Sequence, residues 1–469
     1  MANRLRAFIS QLDQLYEYDR ERVAPEKYKP GTQFAGLFAG EHVAGTEFVI
    51  GAFFVLHGVT VTDLLWGLLI GNLLAVLSWT FICAPIATRT RLTLYWYLKK
   101  IAGPGVTAIY NIANAILYCI LAGAMIAVSA TSIGLALGIK TPALTDIYPT
   151  SLGWVLVTFL IGIAFVILAI LGFEKLSRFA GVCSPWILAI FIASAIAMLP
   201  RLGVQSNLEN FWEIARTRIW TGVTSTGQEK YHLGHVVFFA WFCNLAMHVA
   251  LSDMALFRYA KHWAYGLYSA FGMYPGHMLA WICSGIMVAA VNRQMDPGRM
   301  AFEAAGIAGL LAVVLASWTT ANPTLYRAGL ALQCVTPNWP RWKTTLAAGL
   351  ITTLLSCFPI VFMKLLDYVA IYGLVLMPVG AIVFAEHWVF PLLGIEQYQA
   401  EKRKWSLNWR ALAVWIGTLV VCVFMPVHLF FRWLPGYLIA LVSYTLLNLS
   451  FKQSPNLRTA EEQGSEGSH

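Results

Sequence analysis

Hydrophobic residues in this chain gather into long runs separated by short polar connections. They predict twelve membrane-spanning helices, at roughly 38–57, 62–86, 105–137, 150–172, 176–200, 233–257, 263–291, 302–327, 343–364, 367–390, 410–430 and 433–451. Runs of about 20 apolar residues are long enough to cross a bilayer core. Nearly all are apolar around the whole circumference, as lipid-embedded helices should be. Two runs are interrupted by polar residues. The first reads Gly40-Glu41-His42-Val43-Ala44-Gly45-Thr46-Glu47-Phe48-Val49-Ile50-Gly51, and the second runs from Trp241-Phe242-Cys243-Asn244-Leu245-Ala246-Met247-His248 to Ser252-Asp253. Ionisable side chains at such depth are costly and mark a substrate or ion path. Two interrupted spans five helices apart are the sequence sign of an inverted-repeat transporter.

This pattern divides the chain. A cytoplasmic N-terminal segment is expected over 1–37 and a first five-helix repeat over 38–200. An extracellular linker follows over 201–232, then a second five-helix repeat over 233–390. A connecting loop with helices eleven and twelve occupies 391–451. The cytoplasmic tail, 452–469, is rich in Glu, Gly and Ser and reads as disordered.

Composition agrees with a polytopic membrane protein. Only 12% of the 469 residues are charged and 58% are hydrophobic, where a soluble domain carries about 25% charge. The eight cysteines form no CxxC pair, which argues against a disulfide framework or a zinc site. The polar, mixed-charge first 35 residues do not read as a secretory signal peptide. The net charge of +9 raises the question of nucleic acid, but its distribution answers it. The segments expected to face the cytoplasm hold 23 of the 32 Lys and Arg, among them Arg89, Arg91, Lys99, Lys100, Arg258 and Lys261, and the outer loops hold nine. That is the positive-inside bias; it places both termini on the cytoplasmic side of the plasma membrane (a bacterial inner membrane) and leaves no case for a nucleic-acid partner. No Walker loop, HExxH or GxSxG is present, so neither ATP-driven transport nor a soluble-enzyme chemistry is expected, and no cofactor is implied.

The chemistry-bearing residues fall inside the spans. Gly40, Gly45 and Gly51 weaken the first helix by about 1 kcal/mol each relative to Ala. Unwinding there frees carbonyls for a cation and helix ends for a substrate. Glu41 lies nearer the cytoplasmic end, where simple solvation and a functional role are both open; Glu47 lies deeper. In span six, Asn244 and His248 stand one turn apart on one face. Glu47, with His248, is the candidate proton carrier. Asp253 is expected to pair with a cytoplasmic cation such as Arg258. Span eight reads Ala316-Ser317-Trp318-Thr319-Thr320-Ala321-Asn322-Pro323. Pro323 removes the hydrogen bond to the Thr319 carbonyl, and hydroxyls beside a free carbonyl are hard ligands suited to Na⁺. The alternative is hydroxyls bonding back to their own helix. In span ten, Pro378 and Gly380 suit a hinge or a static kink.

At these residues the chain resembles the nucleobase:cation symporter-1 family, near its cytosine-permease branch. Span two carries Gly71-Asn72-Leu73-Leu74, like the family's GNLL signature. Span eight resembles the family's Trp-Thr-Thr-Asn run at Trp318-Thr319-Thr320, followed by Leu325-Tyr326 and Gly329-Leu330. Span ten resembles its Pro-x-Gly pattern at Pro378 and Gly380, with Glu386 less closely spaced. The resemblance covers about 40–390. It implies an all-α, LeuT-type fold of two inverted five-helix repeats plus two C-terminal helices, and import of nucleobases or related heterocycles coupled to Na⁺ or H⁺. It further implies Na⁺ ligands at Ala316, Thr319 and Thr320, with carbonyls at the break of span one among Gly40, Val43 and Ala44. Substrate-binding positions fall at Tyr118 and Ala122 on span three, Phe242 or Asn244 on span six, and Asn322 on span eight; Glu47 has no counterpart in the family pattern but, with Asn244 and Asn322, is a candidate for the substrate's hydrogen-bonding edge.

The leading reading is a symporter for a nucleobase-like heterocycle, working as a monomer with a small-molecule substrate and membrane lipid as its partners. The alternative is a LeuT-fold symporter for an amino acid or a quaternary amine, which a cage of aromatics would favour. A membrane-embedded enzyme or receptor would need a catalytic or metal cluster, and no His, Asp or Glu set has ligand spacing.

Overall fold

A computed structural model describes residues 9–13, 15–143, 146–292 and 295–452. The tail expected from 452 lies, except for Lys452, outside them. Among the described residues every regular element is helical. The first expected span is two helices, α1 (Gly31–Glu41) and α2 (Glu47–Leu56), with non-helical backbone between. Then come α3 (Val61–Thr90), α4 (Leu94–Ala136), α5 (Leu152–Ile170) and α6 (Phe173–Leu202). The sixth span is again in pieces, α7 (Leu233–Phe242) and α8 (Leu245–His248), followed by a single turn at Met254–Phe257. The rest are α9 (Trp263–Val291), α10 (Pro297–Val335), α11 (Arg341–Ser356), α12 (Asp367–Leu393), α13 (Trp409–Phe424) and α14 (Leu429–Leu447).

Eight of these are long and apolar enough to cross a membrane: α3, α4, α5, α6, α9, α10, α12 and α14. The twelve spans expected from sequence exceed that number by the two broken spans and by α11 and α13, each 16 residues. A helix of that length is about 24 Å long, short of the roughly 30 Å hydrocarbon core.

The two halves repeat one another in their contacts. Helix α2 lies against α9, where the Gly51 N–H donates to Ser284 Oγ at 2.7 Å. Its counterpart in the second half, α7, lies against α3, where a methyl on Gly71 would stand 2.4 Å from the Val237 carbonyl oxygen. Helix α1 meets α6 through Gly36 over Gly181 and Gly40 over Ala180; α8 meets α12 through Gly380 under the Val249 carbonyl. Small residues at each crossing let the backbones approach, which is how helices associate in lipid. The long central helices α4 and α10 pack against each other. Each is kinked at its tenth residue, Gly103 (φ 78°) and Gly306 (φ 58°), a conformation cheap only for glycine.

Both breaks sit in the middle of this bundle. At the first, Gly45 lets the chain press on α10, since a methyl there would stand 2.2 Å from Ser317 Oγ. At the second, Leu251 takes φ 66°, a conformation strained for a branched side chain and typical of functional sites.

Candidate functional site

The two breaks and α4, α9, α10 and α12 enclose a cavity of about 80 Å³. The first break supplies Glu41, His42, Ala44, Thr46 and Glu47, and the second supplies Cys243, Asn244 and Met247. Leu121 and Met125 come from α4, His277 and Trp281 from α9, Thr320 from α10, and Val369 and Tyr372 from α12. A wider vestibule of about 570 Å³ shares Thr46, Ile50 and Leu365 with it and opens among Gln228, Asp296, Lys364 and Asp367.

One wall is flat and aromatic. The His277 imidazole stacks on the Trp281 indole, centroids 4.5 Å apart and planes 15° from parallel. The Trp281 indole N–H donates to Glu47, so the carboxylate is fixed beside that wall. Asn244 Nδ2 lies 3.5 Å from His277 Nδ1. The His42 ring meets His277 edge-on at 5.2 Å; its Nδ1 faces the Phe38 carbonyl at 2.8 Å, and its Nε2 is buried without a partner. The arrangement offers a planar guest a stacking face and a polar edge of carboxylate, amide and imidazole.

Beside the cavity, oxygens converge. The single Thr320 Oγ1 proton is shared between the Glu41 carbonyl at 2.8 Å and the Ala316 carbonyl at 2.9 Å, and Thr319 Oγ1 donates to Ala316 O at 3.0 Å, so both hydroxyls also bond back to their own helix, the alternative the sequence left open. Below them Arg327 is completely buried. Its Nη1 donates to Glu41 Oε1 at 2.5 Å, and its Nη2 donates to Glu41 Oε2 at 3.0 Å and Asp253 Oδ1 at 2.5 Å. Asp253 Oδ2 also accepts from Trp79 Nε1 at 2.6 Å.

Of the residues singled out from sequence, Glu47, Asn244, Ala44 and Thr320 line the cavity. Ala316 and Thr319 lie next to it in the oxygen cluster. The span-one carbonyl that meets Thr320 is that of Glu41; Gly40 packs on Ala180, and Val43 is buried. Tyr118 stands one layer back, its ring 5.1 Å from that of Tyr372. Ala122 is buried on α4, Phe242 turns toward Phe430 (5.9 Å), and both polar atoms of Asn322 are buried without partners. His248 Nε2 lies 3.0 Å from the Trp241 carbonyl, away from the cavity lining. The expected Asp253–Arg258 pair is corrected. Residues five apart do not share a helical face, and Arg258 instead reaches the Tyr18 carbonyl and the hydroxyls of Tyr259 and Tyr326. His277, Trp281 and Arg327 were not anticipated. The first two stand one turn apart on α9, and Arg327 is a lone cation within an apolar run, which were the available signals.

No protein-family profile matches the chain, and no curated protein matches it in sequence. Solved structures do. The fold is that of the LeuT-type transporters. The chain is similar to Mhp1, a nucleobase-cation-symport-1 family transporter, in a closed conformation with bromovinylhydantoin bound: TM-score 0.70, 15% identity, over 92% of this chain and 95% of that one. It is similar to a Na⁺-coupled sialic acid symporter in a substrate-bound outward-open state, with TM-score 0.67, 12% identity and coverage of 95% and 97%. It is also similar to MhsT in complex with L-phenylalanine, with TM-score 0.55, 15% identity and coverage of 90% and 99%.

Proposed function

We propose that this protein is a secondary active transporter that imports a nucleobase-like heterocycle together with a cation, by alternating access. The observation that carries the reading is the cavity at the junction of the two helix breaks, with the His277–Trp281 wall, Glu47 and Asn244 at its edge, and the Ala316–Thr319–Thr320–Glu41 oxygens beside it. A planar base stacks on an aromatic face for about 1–3 kcal/mol. Glu47 is an acceptor, so the favoured ring presents N–H or amino donors toward it. The oxygens on α10 and at the end of α1 are hard donors, and Na⁺ is the coupling ion they suit. Glu47 with His248 is the proton-carrying alternative. The likeness to Mhp1 supports the heterocycle, and the excess of Lys and Arg in segments on the termini side supports a plasma-membrane orientation with both termini inside.

The cavity bears Glu41 and Glu47 and no Lys or Arg, which disfavours the carboxylate of an amino acid. Its amide, carboxylate and imidazole groups also differ from an all-aromatic cage for a quaternary amine. The test is uptake of radiolabelled bases, hydantoins, amino acids and betaine into proteoliposomes, with and without an inward Na⁺ gradient. Gradient-stimulated uptake of a heterocycle is expected. Uptake of an amino acid or betaine in its place would replace the substrate assignment, and accumulation driven by a proton gradient alone would replace the ion.

A further inference from the structure

Three fully buried charges meet where α1 ends, where the chain leaves α8, and on α10. Glu41 and Asp253 share the single guanidinium of Arg327, so with both carboxylates ionised the cluster carries one negative charge more than it balances. Among the described residues no other Lys, Arg or His forms an ion pair with either carboxylate. Other polar neighbours include the Trp79 indole, which donates to Asp253, the His42 ring next to Glu41, the Cys83 thiol near Asp253, and the Tyr118 ring 6.0 Å from the Arg327 guanidinium carbon. A buried ion pair already strains against desolvation, and an uncompensated buried charge is costlier still. Such a group inside a membrane protein points to a function.

A second observation says what would compensate it. Glu41 belongs to both arrangements: its carboxylate holds Arg327, and its backbone carbonyl accepts from Thr320. Thr320 and Arg327 lie seven residues apart, two turns along one face of α10. The oxygens of Ala316, Glu41, Thr319 and Thr320 are therefore joined to the charge cluster through Glu41 itself and through one face of α10. Ser317 Oγ, one residue from this group, is buried without a partner and faces Gly45 of the first break.

We propose that the Glu41–Arg327–Asp253 cluster is the counter-charge of the coupling cation. A monovalent cation held among these oxygens brings the set to two negative and two positive charges, and in doing so ties α1, the stretch after α8, and α10 together on the termini side of the cavity. Asp253 acts through Arg327 and is a positioning residue. The inference rests on cation symport and names the residues that set ion affinity.

The test is a Na⁺ titration of thermal stability of the purified full-length protein, against choline at constant ionic strength, on the parent and three variants. Asp253→Asn is nearly isosteric and leaves the cluster neutral. Its half-saturating Na⁺ should rise about tenfold or more, as expected for losing a charge within several ångströms in a poorly screened interior. Substrate affinity at saturating Na⁺ should stay within about twofold of the parent. The double variant Asp253→Asn/Arg327→Gln returns the cluster to one net negative charge and should recover most of the lost Na⁺ affinity, which a purely structural role would not produce. Arg327→Lys keeps the charge count and should hold Na⁺ affinity near the parent's, so it serves if the other variants fail to fold. An unchanged Na⁺ titration in Asp253→Asn, a double variant no better than the single, or a large affinity loss in a folded Arg327→Lys would overturn the proposal. A parent with no Na⁺ response would instead remove Na⁺ symport itself.

Discussion

The two ends of the central cavity are built from the same kinds of residue in opposite settings. On the termini side the charges of Glu41, Arg327 and Asp253 are fully buried. The N-terminal segment is drawn beneath them, with the Glu17 carbonyl accepting from Tyr259 at 2.6 Å and the Tyr18 carbonyl from Arg258. On the vestibule side Lys364 and Asp367 pair at 3.4 Å while 60% and 65% exposed. The difference is one of solvent. Water screens the outer pair, so that end opens at little cost, whereas the inner cluster separates only if each charge finds a new partner. The cavity therefore adjoins the vestibule at one end and is closed by the buried charges at the other.

The largest effect should come from breaking the buried end. Arg327→Met leaves two carboxylates unpaired in the interior and should destabilise the protein by about 3–5 kcal/mol, read as a fall in unfolding temperature; loss of under about 1 kcal/mol would mean that the cluster is hydrated. Next is the cavity wall. Trp281→Phe keeps the ring but removes the N–H that Glu47 accepts, so substrate affinity should fall by about 1–3 kcal/mol in a direct binding assay, with stacking retained.

A smaller effect is expected at the rim. His428, between α13 and α14, receives or donates a hydrogen bond with the Tyr231 hydroxyl at 3.1 Å. Tyr231 stacks in turn on His57 (3.9 Å) and His235 (4.9 Å). Burial holds His428 below the ordinary histidine value, against the pull of Glu229. The folded state therefore binds fewer protons here than the unfolded state. Stability contributed by this group is intact above about pH 6.5 and is lost as pH falls through that value toward the folded one. His428→Gln should flatten this part of the stability–pH curve, and an unaltered acid limb would show that another group carries it. Least of all, Lys364→Ala should change stability by no more than about 1 kcal/mol, because exposed pairs contribute little; a larger loss would mean that the vestibule end is latched.

The breaks themselves were legible, because glycines and carboxylates inside an apolar run have few explanations. Where the breaks fell pointed to an inverted repeat, and the LeuT-type arrangement came from the family resemblance. The cavity lining was not. Spans apolar on all sides carry no period that tells which face looks inward, so sequence alone did not separate Tyr118, which stands behind Tyr372, from Leu121 and Met125, which line the space. His277 and Trp281 reach the site because α9 docks on α2 at Gly51 and Ser284, a contact between distant segments. Arg327 was visible as an oddity, but its partners lie 286 and 74 residues away.

The proposed coupling has one cavity binding heterocycle and the adjoining oxygens binding Na⁺, each aiding the other. It is tested most directly by measuring heterocycle affinity of the purified protein in Na⁺ and in choline, and Na⁺ affinity with and without heterocycle. Linkage requires both factors to be equal, so Na⁺ should tighten heterocycle binding and heterocycle should tighten Na⁺ binding by that common factor. Heterocycle affinity indifferent to Na⁺ would contradict it.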